Sequence, residues 1–310
     1  MARTRVVIDT DPGVDDAVAI LLALASPELE VLALTTVAGN SDLEKTTLNA
    51  RRLVELSQRF DVVVAAGCAE AIAGAVRYEG EGDVHGIDGL GDLQWDSPNV
   101  PLHDEHAVEL LFRLISEGPL TIVAIGPLTN LGVLLERYPD CAALVERVVI
   151  MGGASFEGNV SPAAEFNIWA DPEAAQMVFA ASWPITLMPL DLTHQASLND
   201  DDLAYFSGLN TEVGRRVADM LEPYARFHEV WYQQREVFMH DAMAVYELLD
   251  ASAITKQGVE VSVETSGTYS RGATWIDRRH QHANSRTQVG VSVDNATFVE
   301  LLRTRLSTYR

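Results

Sequence analysis

Lysine is nearly absent from this 310-residue chain, which contains only Lys45 and Lys256. Lys and Arg together number 22 against 45 Asp and Glu, a formal charge of -23. Nucleic-acid affinity comes mainly from clustered Lys and Arg displacing counterions, so the deficit excludes that class of partner. Anionic membrane surfaces are disfavoured for the same reason, whereas neutral small molecules and divalent cations are not. Cysteine is scarce too. Cys68 and Cys141 show no CxxC spacing and cannot form a disulfide framework in a chain of this length, which points to a reducing compartment. The opening MARTRVVIDTD lacks the apolar stretch and cleavage site of a signal peptide. Uncharged runs from Pro119 and Ala174 carry internal prolines and fall short of the roughly 20 residues of a membrane helix. Repeats, low-complexity segments and Pro/Ser-rich linkers are also missing. These absences give the expectation of a cytoplasmic, single-domain protein over residues 1–310, with no nucleic-acid or membrane partner.

What is present is a hydrophobic fraction of 47% with 22% charged residues, the composition of a packed core. Short β-branched or aliphatic runs recur at 5–9, 30–37, 61–67, 120–126, 147–151 and 184–190. Helical patterns follow them, as at 15–25 and 41–56. The runs are nearly continuous in hydrophobicity, which fits strands covered on both faces of a parallel sheet. The expected fold is therefore α/β, a doubly wound and mostly parallel central sheet flanked by helices. Two long interruptions, 67–103 and 152–170, read as functional or mobile loops. Beyond residue 198 the pattern is helical to about 250, then β-rich, with a closing helix from Asn295.

The first strand runs into DTDPGVDD, which puts Asp9, Asp11, Asp15 and Asp16 within eight residues. Side chains two apart on a strand share a face, so Asp9 and Asp11 are expected to point toward one region, with Asp15 and Asp16 at the start of the next helix. One or two such acids would be an ordinary helix cap. Four at the carboxyl end of a central strand repel one another unless a cation neutralises them. An all-oxygen shell suits a hard cation such as Ca²⁺. The natural completion of the cage is MHDAMAVYELLD, where Asp241 caps a helix and His240 precedes it.

The ordered set DTDPGVDD, VAGN (37–40), DVHGIDGLG (83–91), IGPLTN (125–130), IMGG (150–153), GNVSPAAEFN (158–167) and HD (240–241) resembles the inosine-uridine preferring nucleoside hydrolases. The resemblance implies Ca²⁺ held by Asp11, Asp16, Asp241 and the main-chain carbonyl of Ile125, with Asp11 also the general base toward a metal-bound water. It implies that Asp15, Asn159, Glu165 and Asn167 hold the ribose hydroxyls, that Asn40 and Met151 line the same site, and that His240 assists the departing base. His85 and His228 compete for that last role, and His85 is included among the substrate-binding candidates. The chemistry asks for such groups: an oxocarbenium-like sugar builds positive charge that carboxylates stabilise, and asparagines both donate to and accept from hydroxyls. A homodimer or homotetramer is also implied.

Tyr224, Phe227, His228, Trp231 and Tyr232 fall on one helical face, which reads first as core packing. The competing reading is that part of the stripe closes over the nucleobase with the Gly-rich 74–91 loop. Two other functions share features of the sequence. A haloacid-dehalogenase-type phosphatase also carries DxD after its first strand, but it needs a cationic residue on the phosphoryl group, and neither lysine lies in a suitable motif. A non-catalytic Ca²⁺ or nucleoside-binding protein would bind metal and ligand and release no ribose.

Overall fold

The computed structural model describes residues 3–74 and 84–310. Eleven strands occur among them: β1 (Thr4–Thr10), β2 (Leu29–Thr36), β3 (Val63–Ala66), β4 (Thr121–Ala124), β5 (Arg147–Met151), β6 (Ile185–Met188), β7 (Ser197–Leu198), β8 (Val237–Phe238), β9 (Ile254–Val263), β10 (Thr274–Asp277) and β11 (Thr287–Val293). The α-helices are α1 (Val14–Leu24), α2 (Leu43–Leu56), α3 (Ala107–Ser116), α4 (Thr129–Arg137), α5 (Phe166–Ala170), α6 (Pro172–Ala180), α7 (Leu190–Thr193), α8 (Asp200–Gly208), α9 (Glu212–Tyr232), α10 (Ala242–Leu249) and α11 (Asn295–Leu306). Nine strands form one sheet in the order β10-β9-β11-β6-β5-β4-β1-β2-β3, and β7 and β8 pair separately. Every pairing from β3 across to β11 is parallel; only β9 runs against its two neighbours.

The continuous hydrophobicity of the strands has a direct cause. Along β1, Val6 and Ile8 enter one core while Val7 enters another on the opposite face. The first core packs the sheet against α1, α9, α10 and α11, and the second against α3, α4 and α6. Helix α1 is buried at all eleven positions, which explains why its sequence has no polar outer face. The expected helical stretch to residue 250 is instead α8 and α9 followed by β8 and α10, because residues 237–238 turn back to pair with β7. Among the described residues no helix is long and apolar enough to cross a membrane.

Strand order fixes where a ligand can sit. The chain passes from β1 to β2 on one side and later returns to β4 on the other, so the loops after β1 and β4 diverge and leave a crevice beyond the carboxyl ends. Backbone bonds hold those ends together: Ile125 N–H donates to Asp9 O at 2.8 Å, and Val37 N–H to Thr10 O at 3.1 Å. The largest side chain wholly inside is Trp183, whose Nε1 donates to Val178 O at 3.0 Å. Trp183→Ala is expected to lower unfolding free energy by ~3–5 kcal/mol through lost burial and a residual cavity. Chemical denaturation measures it, and a loss under about 1 kcal/mol would contradict this account of the second core.

Candidate active site

The turn after β1 brings carboxylates to the floor of the crevice. Asp16, in the first turn of α1, accepts the Gly13 N–H at 2.9 Å and the Thr10 hydroxyl at 2.6 Å. Asp15, Asp16 and Asp241 place carboxylate oxygens within 4.8 Å of one another, all buried. Asp241 stands at the N-cap of α10 yet makes no capping bond with its side chain, so its expected capping role is not what the carboxylate does; it joins Asp15 and Asp16 instead. Asp11 lies outside that mutual triad but next to it. Its Oδ2 accepts the Asn40 N–H at 2.6 Å, while Oδ1 is buried with no hydrogen-bond partner. The Asn40 side chain bridges the two, donating to Asp11 O at 3.3 Å and Asp16 Oδ2 at 3.1 Å.

Glycines make this wedge possible. A Cβ on Gly39 would stand 2.0 Å from Asp11 Oδ2, and one on Gly126 2.5 Å from Oδ1. Burial first, then the Asp16 charge, pushes the Asp11 carboxyl well above the usual range; burial and the neighbouring aspartates do the same to Asp241. Asp15 is pushed up to about 8 by burial and by Asp16. These groups cannot all be anionic in a buried site without a counter-charge. The unpartnered Asp11 oxygen and the converging triad therefore fit a hard cation with oxygen ligands. Asp9 departs from expectation. It accepts from the Thr35 hydroxyl at 2.6 Å and from Asn130 Nδ2 at 2.8 Å, and braces the strands below the site instead of joining the cluster.

Other predicted residues come together above this floor. Asn40, Ile125, Met151, Asn159, Glu165, Asn167, His85, His240, Asp15 and Asp241 all line one cavity of about 870 Å³. Glu165 caps α5, taking the N–H groups of Asn167 at 3.0 Å and Gly153 at 2.8 Å. Burial still pushes its carboxyl up to about 7 against those bonds. Asn167 Nδ2 reaches both Ile125 O at 3.1 Å and Met151 O at 3.2 Å, tying the ends of β4 and β5. The Ile125 carbonyl keeps a second lone pair. Asn159 is exposed, and its Oδ1 accepts the Phe166 N–H at 2.9 Å.

The opposite wall is aromatic. Tyr224, Phe227, His228, Trp231 and Tyr232 all line the cavity, so the stripe is more than core packing: Tyr224 and His228 are buried while Trp231 is 56% exposed. Residues 75–83 of the Gly-rich loop expected to close over this wall lie outside the described residues. His85 Nδ1 accepts the Val14 N–H at 3.1 Å, and its ring lies 5.4 Å from that of Tyr224. His228 Nδ1 lies 2.8 Å from Glu236 O, which can only accept. Burial lowers both histidines to about 4, and holds His240 well below its ordinary value with His194, His228 and His85 nearby. Sequence reasoning missed His194 and Thr193, which sit in an unremarkable DLTH, and the Gly39 and Gly126 cradle, which only the distances reveal. None of the described cavity-lining residues is Lys or Arg.

Fold and site together define an α/β enzyme acting on a small polar ligand at an acidic centre suited to a cation. The family profile described as inosine-uridine preferring nucleoside hydrolase matches residues 6–300, and the chain belongs to that family. A curated relative, the pyrimidine-specific ribonucleoside hydrolase RihA of Shewanella woodyi, is 39% identical over 308 residues, covering 98% of each chain. Two solved structures align closely. A plant nucleoside hydrolase, PpNRh1, gives a TM-score of 0.94 at 34% identity over 99% of each chain. A purine-preferring ribonucleoside hydrolase from Gardnerella vaginalis gives 0.92 at 30% identity over 98% of each. The protein is thus an N-glycosyl hydrolase of ribonucleosides. Gly39→Ala, which drives a methyl into the Asp11 carboxylate, is expected to cut ribose release by orders of magnitude in a protein that still melts cooperatively. Wild-type turnover in that variant would show that the position of the Asp11 carboxylate is not critical.

Proposed function

We propose that the protein cleaves the N-glycosidic bond of ribonucleosides by Ca²⁺-dependent hydrolysis, giving ribose and the free nucleobase. The observation that carries this reading is the buried Asp11 oxygen without a partner beside the Asp15, Asp16 and Asp241 triad, at the floor of a cavity whose far wall is aromatic. Asp11, Asp16, Asp241 and the Ile125 carbonyl would hold the ion. When bound, Ca²⁺ supplies the counter-charge for these carboxylates and Lewis-acid polarisation of water and of vicinal hydroxyls.

The chain's own residues supply the remainder. Asp11 takes the proton of the attacking water, a contribution of ~10²- to 10⁴-fold for a positioned base. Asp15, Asn40, Asn159, Glu165 and Asn167 hold the ribose, with Met151 against it. As the bond to the base stretches, positive charge grows on the sugar, and the preorganised carboxylates offset it without reorientation. His240 presents a hydrogen bond to the departing base, with His85 beside it. The absence of Lys and Arg from the described lining supports water over phosphate as nucleophile, because a phosphate site needs positive charge. Pyrimidine ribonucleosides are the best substrates on this reading, since the relative named for them stands at higher identity than the purine-preferring structure. A single domain, a cytoplasmic role in nucleoside salvage and a homodimer or homotetramer belong to the same proposal.

A reducing-sugar assay over purine and pyrimidine ribonucleosides tests it. Ribose should appear without phosphate, disappear with chelator and return with Ca²⁺, and chelator should lower the melting temperature. Asp11→Asn should retain the fold and lose ~10²-fold or more in turnover. No ribose from any nucleoside with Ca²⁺ present would overturn the proposal.

A further inference from the structure

Among the cavity histidines, the partner of His240 is the least expected. Its Nδ1 lies 2.7 Å from the hydroxyl of Thr193, a side chain with no exposed surface. The hydroxyl's other neighbour, the Leu190 carbonyl, is 3.5 Å away, beyond the range of a good O–H···O bond. With a neutral ring, the Thr193 proton therefore goes to Nδ1, and the ring's own proton sits on Nε2. With a charged ring, Nδ1–H donates to the same oxygen and Nε2 again carries a proton. In both states Nε2, the nitrogen left for the cavity, is a donor.

Backbone hydrogen bonds frame this contact on both sides. Leu190 N–H donates to Gly153 O at 2.9 Å, which fixes the start of α7 to the loop after β5. Met239 N–H donates to Ala196 O at 2.9 Å, so the segment that follows Thr193 is also bonded to the residue just before His240. Ser197 pairs with Phe238 in the β7–β8 ladder. The two other histidines on this wall are held differently. His228 must donate from Nδ1 to the Glu236 carbonyl, so in its neutral form Nε2 is an acceptor. His85 uses Nδ1 to accept a backbone N–H and retains Nε2–H.

We propose that Thr193 is a positioning residue for the glycosidic cleavage: its hydroxyl fixes the orientation and tautomer of His240 so that Nε2–H faces the departing nucleobase. This rests on the reading of His240 as the residue that assists the leaving base. A departing base gains electron density on its ring, which a donor stabilises and a bare nitrogen lone pair would repel. An activated aryl leaving group needs little such help. Loss of the Thr193 hydroxyl should therefore hurt natural nucleosides selectively.

The test uses Ca²⁺-loaded protein and compares kcat and kcat/KM on a ribonucleoside with those on a nitrophenyl riboside. Thr193→Val, nearly isosteric and without the hydroxyl, should lose at least about tenfold in kcat on the nucleoside, a part of the ~10²- to 10⁴-fold that a positioned proton donor contributes, with the aryl riboside almost unaffected. Thr193→Ser should recover most of the loss, and Thr193→Val should add nothing to His240→Ala on the nucleoside. Should the valine variant fail to fold, imidazole ¹⁵N spectra of the wild type, with His240 assigned by its loss in His240→Ala, read the tautomer directly. A selective His240→Ala alongside a neutral or non-selective Thr193→Val overturns this inference alone, as does a bare Nε2 in the spectrum. Equal losses on both substrates for His240→Ala would remove the leaving-base role of His240 and this inference with it.

Discussion

Crowded, buried negative charge is the constraint from which the remaining architecture follows. Asp15, Asp16 and Asp241 bring oxygens within 4.8 Å of each other. Two full charges at that separation repel by about 3 kcal/mol even at an effective dielectric of ~20. Asp11 adds a fourth acid, and its Oδ1 has no hydrogen bond to offset burial. Such a centre persists only if the fold is stable enough to impose it and if protons or a cation complete it. Burial and the neighbouring aspartates hold the Asp241 carboxyl well above its ordinary range, which is the same demand for a proton or a cation expressed at one residue.

The scaffold imposes that crowding through a second set of polar bonds just below it. Asp9 accepts from Thr35 on β2 and from Asn130 on α4, and Asn130 also donates to Thr36 O and accepts from Cys68 N–H. One residue pair thereby links the carboxyl ends of β1 and β2 to the loop after β3 and the helix after β4. Asp171 extends the network, taking the Thr129 hydroxyl at 2.8 Å and the Ile72 N–H at 2.9 Å while it caps α6. These bonds are buried and mutually dependent, so they hold loop ends more precisely than solvated contacts would. The Gly39 and Gly126 backbones then close on Asp11 with no room for a methyl.

The fold was legible because its signal is local and repeated. Each continuous apolar run became a strand with a core on either face, as Val6, Val7 and Ile8 illustrate. The floor of the site was legible because Asp11, Asp15 and Asp16 follow one another across a single turn. Asp9 is different: alternation pairs it with Asp11, but pattern alone does not say that Thr35 and Asn130 wait to hold it beneath the site. The aromatic stripe of α9 was ambiguous for a related reason, since a helix facing a cavity and a helix facing a core carry the same periodicity. Thr193 gave no sign, because its meaning arises only when α7 folds against the segment before α10.

The scarcity of lysine acquires a structural meaning in this setting. Lys256 and Arg147 are both spent on the buried Glu247 carboxylate, reached from β9 and from the start of β5. Lys45 leans on Asp42 at 3.7 Å, and the Asp42 side chain, not the ammonium, belongs to the cavity wall. Many of the arginines make surface pairs such as Arg113 with Glu105 and Glu117. The polar part of the described lining is thus left with aspartates, two glutamates, amides, hydroxyls, histidines and aromatic rings. A lysine there would neutralise the aspartates with a fixed charge that offers no open coordination positions for sugar hydroxyls. With no cationic side chain in the described lining, the counter-charge that these carboxylates demand is left to a cation from outside the chain.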